Sequence, residues 1–133
     1  NYRMTDISAA IGLEQLKKLP NFNTRRREIA ERYNSELSDL VITPKNRRGH
    51  VFHQYTIRSD KRDELREFLL ERKINTGIYY PSLLYSYPSM KEYQSSCPNA
   101  EILVKEVLSL PVHPALSDSD VFEVISSIKA FFD

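Results

Sequence analysis

Helices packed on a small mixed or antiparallel sheet, an α/β (α+β) arrangement, is the fold class this sequence predicts. Three observations lead there. Segments with helical spacing of apolar residues take turns along the chain with short β-branched and aromatic segments. The 133 residues are 41% hydrophobic and 28% charged, the mix of a globular domain rather than a disordered chain. No low-complexity stretch and no repeat of fixed period interrupts the pattern. The length fits one domain over residues 1–133, large enough to bury most of its apolar surface without staples.

The elements follow in order. Thr5 is an N-cap for a helix to about Lys18, with Ile7, Ala10, Ile11 and Leu16 on one face. Pro20 is expected to end that helix and to sit in the first turn of a second. The second helix carries Phe22, Ile29, Tyr33 and Leu37 at helical spacing, with Arg25, Arg26 and Arg27 exposed. Val41 and Ile42 suggest a short strand before the polar loop TPKNRRGH. In VFHQYTIRS, Phe52, Gln54, Thr56 and Arg58 alternate with His53, Tyr55 and Ile57, which reads as a strand. DKRDELREFLLERK is an amphipathic helix with Leu65, Phe68 and Leu69 as its stripe, and INTGIYY reads as the next strand.

YPSLLYSYPSMKEYQSSCPN holds too many Pro and Ser for a regular element, so a long aromatic loop is expected there. Ala100 to Val107 reads as a short helix and LSLPVHP as a brief extended segment broken by two prolines. Ser117 caps a last helix, with Asp120 three residues on approximating a capping box.

Composition limits the chemistry. The 19 basic and 18 acidic residues leave a net charge of +1, so nothing in bulk draws the chain to nucleic acid or anionic lipid. The lone Cys97 cannot form an internal disulfide, and no run of about 18 apolar residues could span a membrane. A cytoplasmic location is the expectation. Arg25, Arg26 and Arg27 read as a solvated helix face balanced by Glu28 and Glu31, with phosphate contact the competing reading. His50, His53 and His113 lack Cys or carboxylate partners at ligand spacing, so no metal is expected, and His53 reads as a packed strand residue. No nucleophile elbow and no phosphate-cradling glycine run occurs. Tyr79, Tyr80, Tyr85, Tyr87 and Tyr93 fall within fifteen residues. Their rings suit sugar and nucleotide faces, and equally the covering of a sheet edge.

The opening NYRMTDISAAIGLEQLKKLPNFNTRRREIAERYNSEL closely resembles the segment leading into the C-terminal domain of the DegT/DnrJ/StrS family. These are pyridoxal 5'-phosphate-dependent aminotransferases, most of them acting on keto sugars attached to nucleoside diphosphates. The resemblance continues through HVFHQYTIR, through GIYYPSLLY (similar to the family's H-Y-P-x-P-L-H stretch) and into LSLPVHPALSDSDV. It implies the small C-terminal domain of a fold-type I aminotransferase, opening with helices that link it to an N-terminal cofactor domain. The cofactor lysine and most of the phosphate cup are then expected upstream of Asn1. Transamination needs an amine to engage the cofactor aldehyde, and no lysine here matches the family's motif, so no catalytic residue is expected and the chain alone is expected to be inactive.

The resemblance also implies site residues. Asn1 matches an asparagine that reaches the cofactor phosphate of the neighbouring subunit in a homodimer; as a residue of this chain it also reads as a turn before a helix. Arg3 matches a position near the active-site mouth, where a guanidinium can pair with a substrate phosphate; a surface salt bridge is the other reading. Tyr79, Tyr80 and Tyr85 align with the loop beside the sugar nucleotide, though Tyr79 and Tyr85 stand where the family often has His, and Leu83 where it has Pro. The implied reaction joins a nucleotide-linked keto sugar with an amino-acid donor, a step of polysaccharide-type biosynthesis. Two alternatives share the fold: a dehydratase of the same family, and a non-catalytic regulatory or binding module.

Overall fold

The computed structural model describes residues 2–133, so Asn1 lies outside the described residues. The first element is one helix, α1, running Asp6–Leu37. Thr5 caps it, its Oγ1 accepting from the backbone N–H of Ser8 at 3.3 Å. The expected division at Pro20 does not occur, and Pro20 lies inside the helix. A proline in a helix interior costs about 3 kcal/mol through one lost N–H bond and a clash with the preceding turn. Alanine, leucine, lysine and glutamate favour helix before Pro20, and beyond it Ile29, Ala30, Tyr33 and Leu37 are fully packed, which holds the helix in line.

The two halves of α1 differ sharply. All four of its buried residues lie from Ile29 onward. Before Pro20, Ile7 (76% exposed), Ile11, Leu13 and Leu16 stand open to solvent, as does Met4 (72%) just ahead of the helix. Uncovered apolar groups on this scale favour association. Sedimentation velocity over a concentration series is expected to show the chain forming dimers or larger species, and Ile7→Glu with Ile11→Glu is expected to weaken them.

The sheet is smaller than the sequence suggests. Strand β1 (Tyr55–Arg58) pairs antiparallel with β2 (Val107–Leu110), in register Tyr55 to Leu110 and Ile57 to Leu108. Single bridges flank them, Ile42 to Arg58 on one side and Gly77 to Ser109 on the other. The strands expected at 41–42 and 74–80 thus contribute one paired residue each. The strand expected from Val51 starts only at Tyr55, because Phe52 has φ 46° and its left-handed backbone breaks the pleat. Phe52 and Tyr55 are both fully buried, a three-residue spacing that an alternating strand cannot give.

One sheet face carries Tyr55, Ile57, Leu108 and Leu110, all buried against the helices. Helices α2 (Arg62–Glu71) and α4 (Asp118–Phe132) pack together, α1 lies against α4, and α3 (Pro98–Glu106) leads directly into β2. From α2, Leu65 and Leu69 enter the core, while Phe68 meets Phe131 edge-on at 5.3 Å. The capping box of α4 is present: Ser117 Oγ accepts from Asp120 N at 3.1 Å, and Asp120 Oδ2 accepts from Ser117 N at 2.8 Å. The expected loop is partly ordered, as 3₁₀ turns over Leu84–Ser86 and Pro88–Tyr93, where the prolines and serines permit tight turns but no longer helix.

The end of α2 is a Schellman turn, with Lys73 N–H donating to Leu70 O and Ile74 N–H to Leu69 O, both at 2.9 Å. Lys73 occupies the left-handed position with φ 61°, where glycine carries no β-carbon penalty. Lys73→Gly is therefore expected to raise stability by about 1 kcal/mol in urea unfolding.

Burial pushes the phenols of Tyr33 and Tyr55 well above the ordinary value of 10.0. Their neutral forms are favoured in the folded state, so this stabilisation is complete below pH 10 and is lost as pH rises beyond it. Thermal melts are expected to fall steeply above about pH 10, and Tyr33→Phe to make that fall shallower.

Candidate functional site: a cleft on the polar sheet face

The second face of the sheet is polar. Thr56 and Ser109 lie opposite each other there, their hydroxyls 2.8 Å apart. Alongside Ser109, where β2 runs out through Pro111, a cleft of about 440 Å³ opens. Its walls come from four parts of the chain: Arg26 of α1, His53 and Gln54 before β1, residues 75–77 with Tyr79, and the stretch from Ser109 to His113. Their convergence is a product of the sheet. Gly77 is fixed to Ser109 by Gly77 N–H to Ser109 O at 3.0 Å and Ser109 N–H to Gly77 O at 2.7 Å. Pro111 is held by Tyr33, whose hydroxyl donates to its carbonyl at 2.9 Å.

Several of the cleft's side chains can donate hydrogen bonds. Arg26 reaches Asn23 Oδ1 at 3.5 Å and, among the described residues, has no carboxylate within ion-pair distance. His113 Nδ1 accepts from the backbone N–H of Ala115 at 3.1 Å, so the neutral ring carries its proton on Nε2. Gln54 and Asn75 add amides, and Tyr79 adds an aromatic ring that is 54% exposed. A flat ring beside several N–H donors suits a ligand rich in oxygen atoms.

The residues singled out from the sequence scatter around this cleft. Tyr79 lines it. Tyr80 turns outward, 78% exposed, and Arg3 is exposed in the segment ahead of α1. Tyr85 lies on a different surface, in a hollow with Ser86, Gln94 and Glu101, and donates to Glu101 Oε1 at 2.9 Å. Partial burial first, and the bond to Glu101 second, hold its phenol above the ordinary value. The structure thus places Tyr79 and Tyr85 in separate hollows.

Two expectations are corrected. His53 is exposed and outside the strand, because the turn at Phe52 shifts the pleat. The three arginines do not form a common solvated face. Arg25 donates to Leu116 O at 2.9 Å and pairs with Asp118 Oδ1 at 2.8 Å, Arg27 donates to His50 O at 3.0 Å, and Arg26 lines the cleft. Gln54, Asn75 and His113 were not singled out as site residues. Only the chain's closure brings them together, and the signal available was a polar residue beside each extended segment.

The sequence pattern of the DegT/DnrJ/EryC1/StrS aminotransferase family matches residues 1–129. The chain belongs to that family. It is 40% identical to a pleiotropic regulatory protein of Geobacillus stearothermophilus, over 99% of this chain and 38% of that one. It is 37% identical to the GDP-perosamine synthase of Escherichia coli O157:H7, over 99% of this chain and 37% of that protein. A crystal structure of a DegT/DnrJ/EryC1/StrS aminotransferase from Brucella abortus superposes with a TM-score of 0.92 at 36% identity, covering 98% of this chain and 36% of that one. The chain therefore spans less than two-fifths of the relatives it matches.

The tie between Tyr85 and Glu101 bridges the loop to α3, and Glu101 Oε1 also accepts from Cys97 N–H at 3.4 Å. Tyr85→Phe is expected to lower stability by no more than about 1 kcal/mol, because the bond is exposed. Amide exchange across residues 84–97 is expected to quicken while exchange in α4 stays unchanged.

Proposed function

We propose that this chain is the C-terminal small domain of a pyridoxal 5'-phosphate-dependent aminotransferase that acts on a nucleotide-linked keto sugar with an amino acid as donor. The observation that carries the reading is the family match over residues 1–129 together with the likeness to an aminotransferase crystal structure over 98% of the chain. The name of the GDP-perosamine synthase relative supports a nucleotide-sugar substrate.

The cleft by itself does not fit the cofactor. No lysine is among its lining residues, and Arg26 is its one guanidinium. The cofactor's attachment is assigned to a second domain, and this chain supplies substrate walls. Arg26, Gln54, Asn75 and His113 donate to oxygens of the sugar nucleotide, and Tyr79 lies against a ring face. Tyr80, Tyr85 and Arg3 are assigned to the outer, nucleotide end. Asn1 is assigned to the partner subunit's cofactor phosphate across a homodimer. The exposed apolar residues of α1 before Pro20 are the surface that the second domain and the partner cover.

A second reading has a specific observation in its favour. The pleiotropic regulatory protein of Geobacillus stearothermophilus shares 40% identity, which supports a regulatory role on the same fold. The two readings part on chemistry. The full-length protein is expected to retain pyridoxal phosphate through dialysis and to turn a UDP-, GDP- or dTDP-linked keto sugar into its amino sugar, detected by mass spectrometry. Retained cofactor without amine transfer favours the regulatory or dehydratase reading, and release of a dehydrated sugar separates these two. The chain of 133 residues alone is expected to give no cofactor absorbance that survives dialysis, and a stoichiometric band there overturns the assignment of the cofactor site to another domain.

A further inference from the structure

Gly77 is part of the cleft wall, and a side chain there would have no room beside Tyr79. A β-carbon built on Gly77 meets the Tyr79 ring: Cζ and Oη lie at 2.7 Å and Cε2 closer still. The three nearest heavy atoms all belong to that one side chain. No left-handed backbone demands glycine here, since the positive-φ glycine of the chain is Gly49. The bridge to Ser109 holds the main chain of Gly77 through both its N–H and its carbonyl, so the backbone has little room to yield. What the glycine leaves open is therefore a seat, and Tyr79 two residues later folds back into it.

We propose that Gly77 is a positioning residue for Tyr79. The missing β-carbon lets the hydroxyl end of the phenol close onto Gly77, so that the ring forms the aromatic wall of the cleft. The ligand class is one that presents a ring face to Tyr79 and oxygens to Arg26 and His113, namely a glycosyl nucleotide. That last clause rests on the function proposed above; the seating of Tyr79 does not.

A double-mutant cycle tests the seating. Gly77→Ala is expected to displace the Tyr79 ring and to lower the melting temperature of the chain by no more than about 2 °C, because the ring end it strikes is half exposed and can swing away. In a Tyr79→Ala background the same substitution is expected to cost nothing, because the atoms it strikes are gone. An equal loss in both backgrounds overturns the proposal, since the clash then lies elsewhere. The chain has three glycines, so the Gly77 Hα resonances are readily assigned. They are expected to be displaced from ordinary positions in the wild type, by the ring current, and to return to them in Tyr79→Ala; unshifted resonances in the wild type count against the seating.

The binding arm uses the full-length protein titrated with UDP, GDP and dTDP in turn. Gly77→Ala is expected to weaken the nucleotide that binds by on the order of tenfold, with no further loss when combined with Tyr79→Ala. A structural role alone leaves the affinity of the folded variant unchanged, and that result overturns the positioning role. Coupling in the melting data with no nucleotide bound by the wild type leaves the seating standing and overturns the substrate reading instead.

Discussion

The contact between Tyr33 and Tyr55 is the constraint on which the remaining structure hangs. The two rings lie 5.0 Å apart, both fully buried, one on the packed half of α1 and the other on β1. Neither hydroxyl is left without a partner. Tyr33 donates to the Pro111 carbonyl at 2.9 Å, and Tyr55 donates to Asn34 Oδ1 at 2.6 Å. Each ring supplies apolar area to the core while each hydroxyl fixes a neighbour, which avoids the cost of an unsatisfied buried donor. Helix, strand and the exit from β2 are joined in one cluster. Because Pro111 and its neighbours form one wall of the cleft, the position of that wall is set from inside the core.

The sheet divides labour between its faces. Register places Tyr55 against Leu110 and Ile57 against Leu108 on the core side, and Thr56 against Ser109 on the other. Two strands of four residues are too few to be stable alone, and the helices on one face supply what pairing cannot. The other face is then free to carry polar groups, and the segment at Gly77 joins the sheet at the edge of β2. The side chains of Arg58 and Glu106 close the far edge, with Arg58 Nη2 and Nε at 2.7 and 2.9 Å from Glu106 Oε2. Arg62 anchors the junction of α3 and β2 by donating to the carbonyls of Val104 and Val107.

How much of this was legible in the sequence depends on whether the deciding force was local. The Thr5 cap, the Ser117–Asp120 box and the stripes of Leu65 and Leu69 or Ile29, Tyr33 and Leu37 are settled within a turn or two of helix, and they read correctly. Strand lengths did not, because the left-handed turn at Phe52 and the single bridges at Ile42 and Gly77 depend on partners far along the chain. Pro20 misled for the same reason: its local cost is outweighed by packing that begins nine residues later, at Ile29. At the cleft, Tyr79 was visible through a motif. Gln54, Asn75 and His113 carry no motif, and only the closure of β1 on β2 makes them neighbours.

The three arginines at 25–27 illustrate why a charge run in sequence need not be a patch in space. Successive residues on an α-helix are turned by about 100°, so three in a row point to three sides. Here each side meets a different neighbour. Arg25 is drawn to the start of α4, where the N-terminal dipole already favours Asp118, and the pair holds that carboxyl below its ordinary value and the guanidinium above its own. Arg27 spends its Nε on a carbonyl of the loop before β1. Both are thereby occupied in fastening α1 to the domain. Arg26, between them, faces the cleft with only an amide oxygen at 3.5 Å. A near-neutral chain can thus turn toward its cleft one arginine that, among the described residues, has no carboxylate partner, without presenting a basic surface, and the helix pitch selects which arginine it is.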